Sequence, residues 1–224
     1  MTSKILENKI QSIGELENKK VPKGHVTLVG VGRLGLRIGV NLIQVHRGGP
    51  KEISAVDGQK ISESDIIFKL FGGKFGDYKV EFLKSLCTHP ESLRKVTVFK
   101  EDVTENNLNI IMGNVVSIQS AGGNTIPTTA AIIKRAHEIG AKTISTAGVF
   151  GIGEEKIVTM DISEVDGGNP VVRELKAHGI EENHKIVTTG RFIEDNIPIT
   201  PYVLDAYSAE MTKEILKLLD DSYD

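Results

Sequence analysis

The sequence predicts an α/β fold, namely a doubly wound and mostly parallel sheet with an antiparallel extension towards the C-terminus. Three observations predict it. Short apolar runs alternate with longer segments whose apolar residues recur at helical spacing, which is typical of parallel strands joined by helices. A glycine-rich turn follows the first apolar run, and an aspartate follows the second. After Gly148 the apolar runs continue without full helical crossovers, and this change predicts the antiparallel part.

The elements up to Gly148 follow one another in regular alternation. Apolar runs predict strands at 25–30, 52–57, 96–99, 115–119 and 143–146. Helical spacing, such as that of Leu34, Ile38 and Leu42, predicts helices between the strands. These helices are expected at 33–45, 62–70, 78–88, 106–112 and 127–139. Pro127 suits the first turn of the last of them, and Gly140 suits its C-terminal stop.

The chain is divided into three parts that together form one domain. Residues 1–24 are expected to form an N-terminal helical arm, and residues 25–148 the nucleotide-binding part. Residues 149–224 are expected to extend the sheet of the same domain and to close it with a helix. Predicted strands of this extension lie at 149–153, 156–162 and 186–192, and predicted helices lie at 171–177 and 205–219.

Composition excludes several classes of function. A net charge of −3 gives no electrostatic reason to expect a nucleic acid or an acidic membrane as a partner. No apolar run approaches the ~20 residues that cross a bilayer, and the N-terminal residues lack a signal-peptide core. We therefore expect a cytoplasmic protein. Cys87 is the single cysteine, and the six histidines show no metal-binding spacing, so no protein metal ligands are predicted.

The glycine-rich turn is the strongest functional signal. The run Gly30-Val31-Gly32-Arg33-Leu34-Gly35 lies between a predicted strand and a predicted helix, and Asp57 ends the next strand. In a Rossmann-like unit the first glycine makes the turn, the second lets the backbone approach phosphate, and the third lets the helix pack closely. The acid binds a ribose hydroxyl, so an adenosine nucleotide is expected. Because NAD(P) carries the same ribose, a nicotinamide-dependent oxidoreductase is the alternative.

Three further motifs add specificity to the glycine fingerprint. Ala55-Val56-Asp57 is followed by Ser64-Asp65, the run Gly76-Asp77-Tyr78-Lys79-Val80-Glu81 opens a helix, and Gly122-Gly123-Asn124 follows the fourth strand. In this order the motifs resemble those of the ubiquitin-activating-enzyme-like adenylyltransferases, in the ThiF and MoeB branch. The resemblance covers about residues 24–160.

The resemblance implies a reaction, a cofactor and a set of site residues. Such enzymes bind ATP with Mg²⁺, let a carboxylate attack the α-phosphate, and release pyrophosphate to leave an acyl-adenylate. Lys79 resembles the family's phosphate-binding lysine, and Asp57 resembles its ribose-binding acid. Members of the family are usually homodimers. The other expected nucleotide contacts are Gly30, Gly32, Arg33, Leu34, Gly35, Gly58, Asp65, Lys69, Ser120, Gly122 and Asn124.

The chain also departs from the family at three positions. Phe68 stands where the family has an arginine that touches the phosphates, and Asp65 replaces an asparagine. Gly123 stands where the family has the aspartate associated with magnesium, so no magnesium ligand is identified. We hypothesise that Arg33 or Lys69 supplies the missing positive charge. Arg33 and Lys79 are the two expected catalytic residues. Because of these departures, a further alternative is a relative of these enzymes that binds nucleotide but does not catalyse the reaction.

Two of these polar residues have a structural interpretation beside the functional one. Asp65 suits the N-cap of a helix that starts near Ile66, because its carboxylate can accept from free backbone amides. Asn124 suits the cap of the following helix equally well as a contact to the nucleotide. The sequence leaves both alternatives open.

The pattern of cysteines narrows the resemblance further. The chain has no Cys-x-x-Cys pair and no cysteine after Gly148, where ubiquitin-activating enzymes carry their thioester nucleophile. Cys87 follows Leu86 on the apolar side of a predicted helix and is interpreted as a buried small hydrophobe. In its length and in the cysteines that it lacks, the chain resembles the HcgE-type branch of methanogens. That resemblance implies adenylylation of the carboxymethyl group of guanylylpyridinol, in biosynthesis of the [Fe]-hydrogenase cofactor. A separate acceptor protein then takes the acyl group on its own cysteine.

Overall fold

The computed structural model describes residues 21–87, 94–119, 123–191 and 196–220. Most of the expected N-terminal arm therefore lies outside the described residues, as do Ser120 and Gly122 of the expected site.

One sheet organises this part of the chain. Its order is β3-β2-β1-β4-β5-β7-β6, with seven strands among the described residues. Neighbouring strands run parallel except β6 and β7, which pair antiparallel. The strands are β1 (His25–Val29), β2 (Glu52–Val56), β3 (Lys95–Phe99), β4 (Val115–Ile118), β5 (Lys142–Thr146), β6 (Val158–Asp161) and β7 (His184–Thr188).

Helices cover both faces of the sheet, as expected for a doubly wound fold. They are α1 (Arg33–Gln44), α2 (Ile66–Leu70), α3 (Lys79–Ser85), α4 (Ile126–Glu138), α5 (Pro170–Ala177) and α6 (Pro201–Leu219). On one face, Val26 and Leu28 of β1 belong to an apolar cluster with buried residues of α1, α3 and α6. On the other face, Val29 belongs to a cluster with α4 and α5. Burial on both faces is typical of the strands of a parallel sheet.

The last helix packs against the first. Arg37 of α1 donates a hydrogen bond to Asp205 of α6, and the two form an ion pair. One turn further along α1, the Asn41 amide nitrogen lies 3.4 Å from the hydroxyl oxygens of both Ser208 and Thr212. Met211 and Ile215 of α6 are fully buried in the same cluster as α1. The C-terminal helix therefore fixes the helix that follows the glycine turn.

The order of the strands reverses between β1 and β4. In doubly wound sheets this reversal opens a crevice at the carboxyl ends of the strands, and ligands bind there. Here the glycine turn follows β1 and Asp57 follows β2, so both lie at this edge.

The predicted fold class is confirmed, but several predicted elements differ from the observed ones. The predicted strand at 149–153 is wrong, because Gly151 makes only an isolated bridge to Ile199. Its glycines explain the failure: Gly148, Gly151 and Gly153 have φ values of 85°, 149° and 107°, which an ordinary strand does not contain. The predicted helix at 106–112 is a 3₁₀ segment at Glu105–Ile110 with one non-helical residue inside.

The antiparallel extension is also smaller than expected. β7 pairs parallel to β5, so only β6 runs antiparallel within the sheet. The predicted strand at 186–192 ends at Thr188, and residues 192–195 lie outside the described ranges. Among the described helices, none is long and apolar enough to cross a membrane.

Candidate active site

The glycine turn has the backbone geometry that the fingerprint predicts. Gly30 directly follows β1 with a φ of 88°, and its amide donates to the Val56 carbonyl over 2.9 Å. A Cβ atom on Gly35 would lie 1.9 Å from the Gly30 carbonyl oxygen, so only glycine lets α1 start this close to the turn. A Cβ atom on Gly32 would meet nothing within 4 Å. The backbone at Gly32 is therefore open on the side where a ligand would approach.

Asp57 joins the end of β2 to the glycine turn. Its side chain is buried, and one carboxylate oxygen accepts from the Val31 amide over 2.7 Å. The other oxygen accepts from the Gln59 amide, also over 2.7 Å. Burial raises the pKa of Asp57, although both amides and the Lys79 charge oppose the shift. Each oxygen keeps a second lone pair, so the carboxylate can also accept from ribose hydroxyls.

Lys79, the first residue of α3, is buried beside Asp65. Its side chain is 7% exposed, and its Nζ atom lies 3.4 Å from a carboxylate oxygen of Asp65. Nζ also donates to the side-chain oxygen of Gln59 over 2.9 Å. Lysine and aspartate are rarely this buried unless they are paired. The pairing therefore keeps an ammonium group buried at the carboxyl edge of the sheet.

Asp65 faces this lysine and does not cap its own helix. It occupies the N-cap position of α2 but makes no side-chain capping hydrogen bond. Instead one carboxylate oxygen accepts from the Ser62 amide over 2.9 Å and from the Ser62 hydroxyl over 2.7 Å. Burial raises the pKa of Asp65, but the Ser62 hydrogen bonds and Lys79 outweigh it, so the net shift is downwards. The carboxylate is held ionised against the ammonium.

The position of the family arginine is apolar in this chain. Phe68 is fully buried, its ring centroid lies 5.6 Å from that of Phe82, and the Lys79 Nζ atom lies 5.8 Å from it. Phe68 therefore forms an apolar floor under the lysine and offers no hydrogen bond to phosphate. The neighbouring Lys69 is exposed and donates to the Glu63 carbonyl over 2.7 Å. Lys69 is thus directed at a loop carbonyl on the outer side of α2.

Arg33 is the other candidate for the missing positive charge. It is exposed at the first position of α1 and lines a groove of about 810 Å³ between α1, α2 and α6. Its carbonyl accepts from Arg37 over 3.0 Å. A guanidinium at this place can reach a ligand bound over the glycine turn.

The remaining expected contacts are placed more loosely. Leu34 is buried in the core below the turn, and the Gly58 amide donates to the Asp102 carboxylate over 3.2 Å. Asn124 is exposed in the 3₁₀ turn before α4, where Thr125 occupies the N-cap position. The capping interpretation of Asn124 therefore finds no support.

Two residues of the site were not predicted from the sequence. Gln59 contacts both Asp57 and Lys79, and Asp102 contacts the Gly58 amide. Both lie in loops that follow parallel strands, at the edge where ligands bind. Their position directly after parallel strands is the sequence feature that could have identified them, because neither residue belongs to a motif of the resemblance.

No group of three His, Cys, Asp or Glu side chains that could hold a metal ion occurs in the described ranges.

Cys87 is half-buried against the apolar cluster, with its Sγ atom 3.6 Å from the Arg94 carbonyl oxygen.

The fold and the site together define a Rossmann-like nucleotide-binding protein in which a glycine turn, a buried acid and a buried lysine meet at one edge of the sheet. The fold itself is shared with distant structures. The tRNA N6-threonylcarbamoyladenosine dehydratase TcdA of E. coli superposes with a TM-score of 0.75 at 16% identity, over 95% of this chain and 93% of TcdA.

Two relatives are much more similar. HcgE from Methanothermobacter marburgensis, whose structure contains guanylylpyridinol and ATP, is 52% identical with a TM-score of 0.87. The match covers 91% of this chain and 98% of that one. The protein MJ0693 of Methanocaldococcus jannaschii is 43% identical over 218 residues, which is 97% of this chain and 86% of MJ0693. No protein-family model matches the sequence. The chain belongs to the HcgE family.

Proposed function

We propose that the protein binds ATP over the glycine turn and adenylylates a carboxylate, releasing pyrophosphate and leaving an acyl-adenylate. The observation that carries this proposal is the connected set formed by the turn, Asp57 and Lys79 at the reversal of strand order. It provides backbone amides for phosphate, an acceptor for ribose and a buried cation. The similarity to HcgE with ATP bound supports the choice of nucleotide.

The substrate that we propose is the carboxymethyl group of guanylylpyridinol, in the biosynthesis of the [Fe]-hydrogenase cofactor. Its support is the guanylylpyridinol bound to HcgE, a protein that matches this chain over nearly its whole length. Identity of 52% makes the same ligand the natural first choice for this chain.

The transfer needs alignment and charge neutralisation more than covalent help from the protein. A substrate carboxylate oxygen attacks the α-phosphorus, and a new oxygen–phosphorus bond forms. The bond from that phosphorus to the oxygen bridging towards the β-phosphate breaks, and its electron pair leaves on pyrophosphate. We assign the Lys79 ammonium to the charge on this leaving group, and Arg33 to the charge that the family arginine would neutralise. The open backbone at Gly32 and the N-terminus of α1 hold the phosphates.

The other proposed nucleotide contacts are carried over from the resemblance of the sequence motifs. They are Gly30, Leu34, Gly35, Gly58, Asp65, Lys69, Ser120, Gly122 and Asn124. For Asp65 the proposed role is indirect, because its carboxylate meets the lysine and Ser62.

The residues present do not fit a magnesium site held by the protein. The carboxylates of Asp57 and Asp65 are already engaged by amides, by a hydroxyl and by Lys79. Gly123 stands where the family has its aspartate. Magnesium commonly keeps its waters and binds through substrate phosphates with few protein ligands. We therefore assign no step to a protein-bound metal.

We propose that a separate cysteine-bearing protein accepts the acyl group. Cys87, the single cysteine of this chain, packs on the apolar cluster beside β3. We expect Cys87→Ser to retain adenylylation and acyl transfer. Loss of acyl transfer alone, with adenylate formation intact, would instead identify Cys87 as a covalent carrier.

Pyrophosphate exchange tests the proposed reaction. Labelled pyrophosphate is expected to enter ATP only when guanylylpyridinol is present, and mass spectrometry is expected to detect the acyl-adenylate. The matched control is guanylylpyridinol whose carboxymethyl group is esterified, which cannot attack the α-phosphorus. Exchange that continues with the ester, or no exchange with the free acid, contradicts the proposal. Binding of NAD without binding of ATP would support the oxidoreductase alternative.

A further inference from the structure

Gln59 connects the two charged residues of the site through three separate hydrogen bonds. Its backbone amide donates to Asp57 over 2.7 Å, and its carbonyl accepts from the Lys79 amide over 3.1 Å. Its side-chain oxygen accepts from the Lys79 Nζ atom over 2.9 Å. Two of these bonds use the main chain, so a side-chain substitution leaves them in place. The third bond belongs to the side chain alone.

The segment that carries Gln59 is well anchored. Lys60 pairs with Tyr78 in an antiparallel bridge, and the Ile61 amide donates to the Asp77 carbonyl over 2.8 Å. Ile61 is itself buried in the core. The loop after β2 and the start of α3 therefore form one short paired unit, which fixes where the Gln59 side chain begins.

The Lys79 ammonium has three N–H donors. Within the described ranges, Gln59 and Asp65 provide two acceptors for it. Two acceptors in fixed positions define the direction of the third N–H bond. The third N–H group of Lys79 can therefore donate to a phosphoryl oxygen of a bound nucleotide.

Charge explains why an amide stands at position 59. Asp65 already balances the Lys79 charge, and the pair is buried together. A carboxylate at position 59 would add a further negative charge to a site that already holds Asp57 and Asp65, and would repel polyphosphate. A glutamine orients the ammonium with a neutral oxygen and adds no such repulsion.

We propose that Gln59 is a positioning residue, whose side-chain oxygen directs the Lys79 ammonium at the phosphates during adenylyl transfer. This inference rests on the proposed ATP-dependent function. Gln59 is exposed, whereas the Lys79 side chain that it contacts is buried. Its effect is exerted through Lys79, and no contact between Gln59 and the substrate is required.

Two substitutions separate orientation from charge. Gln59→Met keeps the length of the side chain and removes the acceptor, so the ammonium loses one of its two restraints. We expect kcat of pyrophosphate exchange to fall ~10- to 100-fold, with KM for ATP changed less than about threefold. Gln59→Glu keeps an acceptor and adds a charge. We expect it to retain kcat within about fivefold and to raise KM for ATP about tenfold.

The matched controls are Gln44→Met and Gln44→Glu. Gln44 is an exposed glutamine at the C-terminal end of α1, away from the carboxyl edge of the sheet. Both controls are expected to match the wild-type protein. Thermal unfolding is measured on every variant, and a midpoint within about 2 °C of the wild-type value shows that the fold is intact.

The outcomes separate this inference from the proposed function. If both Gln59 variants match the Gln44 controls, or if Gln59→Met loses activity only in proportion to lost folded protein, the inference is overturned. If the wild-type protein binds ATP but shows no exchange, the proposed function fails. The ATP affinity of Gln59→Glu then decides the role of Gln59: about tenfold weaker binding supports it, and unchanged binding overturns it. Absence of ATP binding by the wild-type protein overturns both.

Discussion

Lys79 is a charged residue that the protein keeps almost out of contact with water. Removing it should have two effects, because the buried Asp65 carboxylate then loses its partner. We expect Lys79→Met to lower kcat of pyrophosphate exchange about 10²- to 10³-fold. We also expect a lower free energy of unfolding, by ~3 kcal/mol, since one charge of a buried pair is left alone.

The control for Lys79 lies on the same helix. Lys84→Met removes an exposed lysine from the last turn of α3 and should leave both exchange and stability near wild-type values. If Lys79→Met keeps normal exchange while ATP still binds, the assignment of its ammonium to the leaving pyrophosphate is wrong.

Several residues of the site were predictable because each has a local signal. The spacing of the glycines and the place of Asp57 after a strand predict backbone and ribose contacts from neighbouring residues alone. Gln59 and Asp102 have no such signal, because their contacts join loops far apart in the chain. Asp65 has a motif signal, but its pairing with Lys79 depends on the packing of α3 beside its loop.

At the scale of elements, the glycine turn provides a matched pair of substitutions. Gly35→Ala places a Cβ atom 1.9 Å from the Gly30 carbonyl oxygen, so α1 or β1 must move. We expect a loss of about 3 kcal/mol or more in the free energy of unfolding. Gly32→Ala meets no atom, so its stability should change by less than about 1 kcal/mol. Its ATP affinity should nevertheless fall, because the methyl group obstructs the phosphates.

Urea unfolding and calorimetric titration with ATP measure the two effects separately. Equal loss of stability in both variants would show that the two glycines do not have the different roles assigned to them. Unchanged ATP affinity of Gly32→Ala would show that the phosphates do not lie over this turn.

Strands β5 and β7 hold a buried histidine that makes stability depend on pH. His184 is fully buried between the Ser145 and Thr143 hydroxyl oxygens, each 2.8 Å from a ring nitrogen. Burial, with a smaller contribution from the nearby His137, lowers its pKa to about 3. In the unfolded chain a histidine protonates near pH 6.5. Between these values the unfolded state binds more protons, so acidification favours unfolding.

We therefore expect this group to lower the free energy of unfolding by ~1.4 kcal/mol per pH unit as pH falls below about 6. His184→Gln should be less stable at neutral pH yet lose this part of the slope. The exposed His178→Gln should keep the wild-type slope. Urea unfolding at about pH 7, 6 and 5 gives the slopes, and identical slopes for all three proteins would contradict the assignment.

The alternation of strands and helices was predictable because burial on both faces leaves a plain pattern in the sequence. The segment after Gly148 was not, since an apolar run such as Val149–Gly153 suits a strand until the positive φ values of its glycines are known. Helix ends shifted by a few residues for a related reason. α2 begins at Ile66 because the preceding residues turn to place Asp65 against Lys79.

At the scale of the whole molecule, we propose that the chain forms a homodimer, as the resemblance of its motifs to the ThiF and MoeB branch implies. Exposed apolar side chains such as Ile66, Leu70 and Phe71 lie along α2 and its end, and a second subunit could cover them. Sedimentation equilibrium is expected to give twice the mass of one chain. Leu70→Glu should weaken that association, whereas Leu86→Glu, just after the end of α3, is the control for an exposed leucine elsewhere. A monomer at micromolar concentration would contradict the expectation.

The packing of α6 on α1 has a consequence for synthesis. Chains leave the ribosome from the N-terminus, and domains fold as their parts emerge. α1 emerges early, but Met211 and Ile215, which cover its apolar face, are translated after every strand of the sheet. The apolar face of α1, beside the nucleotide crevice, therefore stays uncovered until translation has passed α6. A ribosome stalled before Pro201 should display a chain that chaperones recognise.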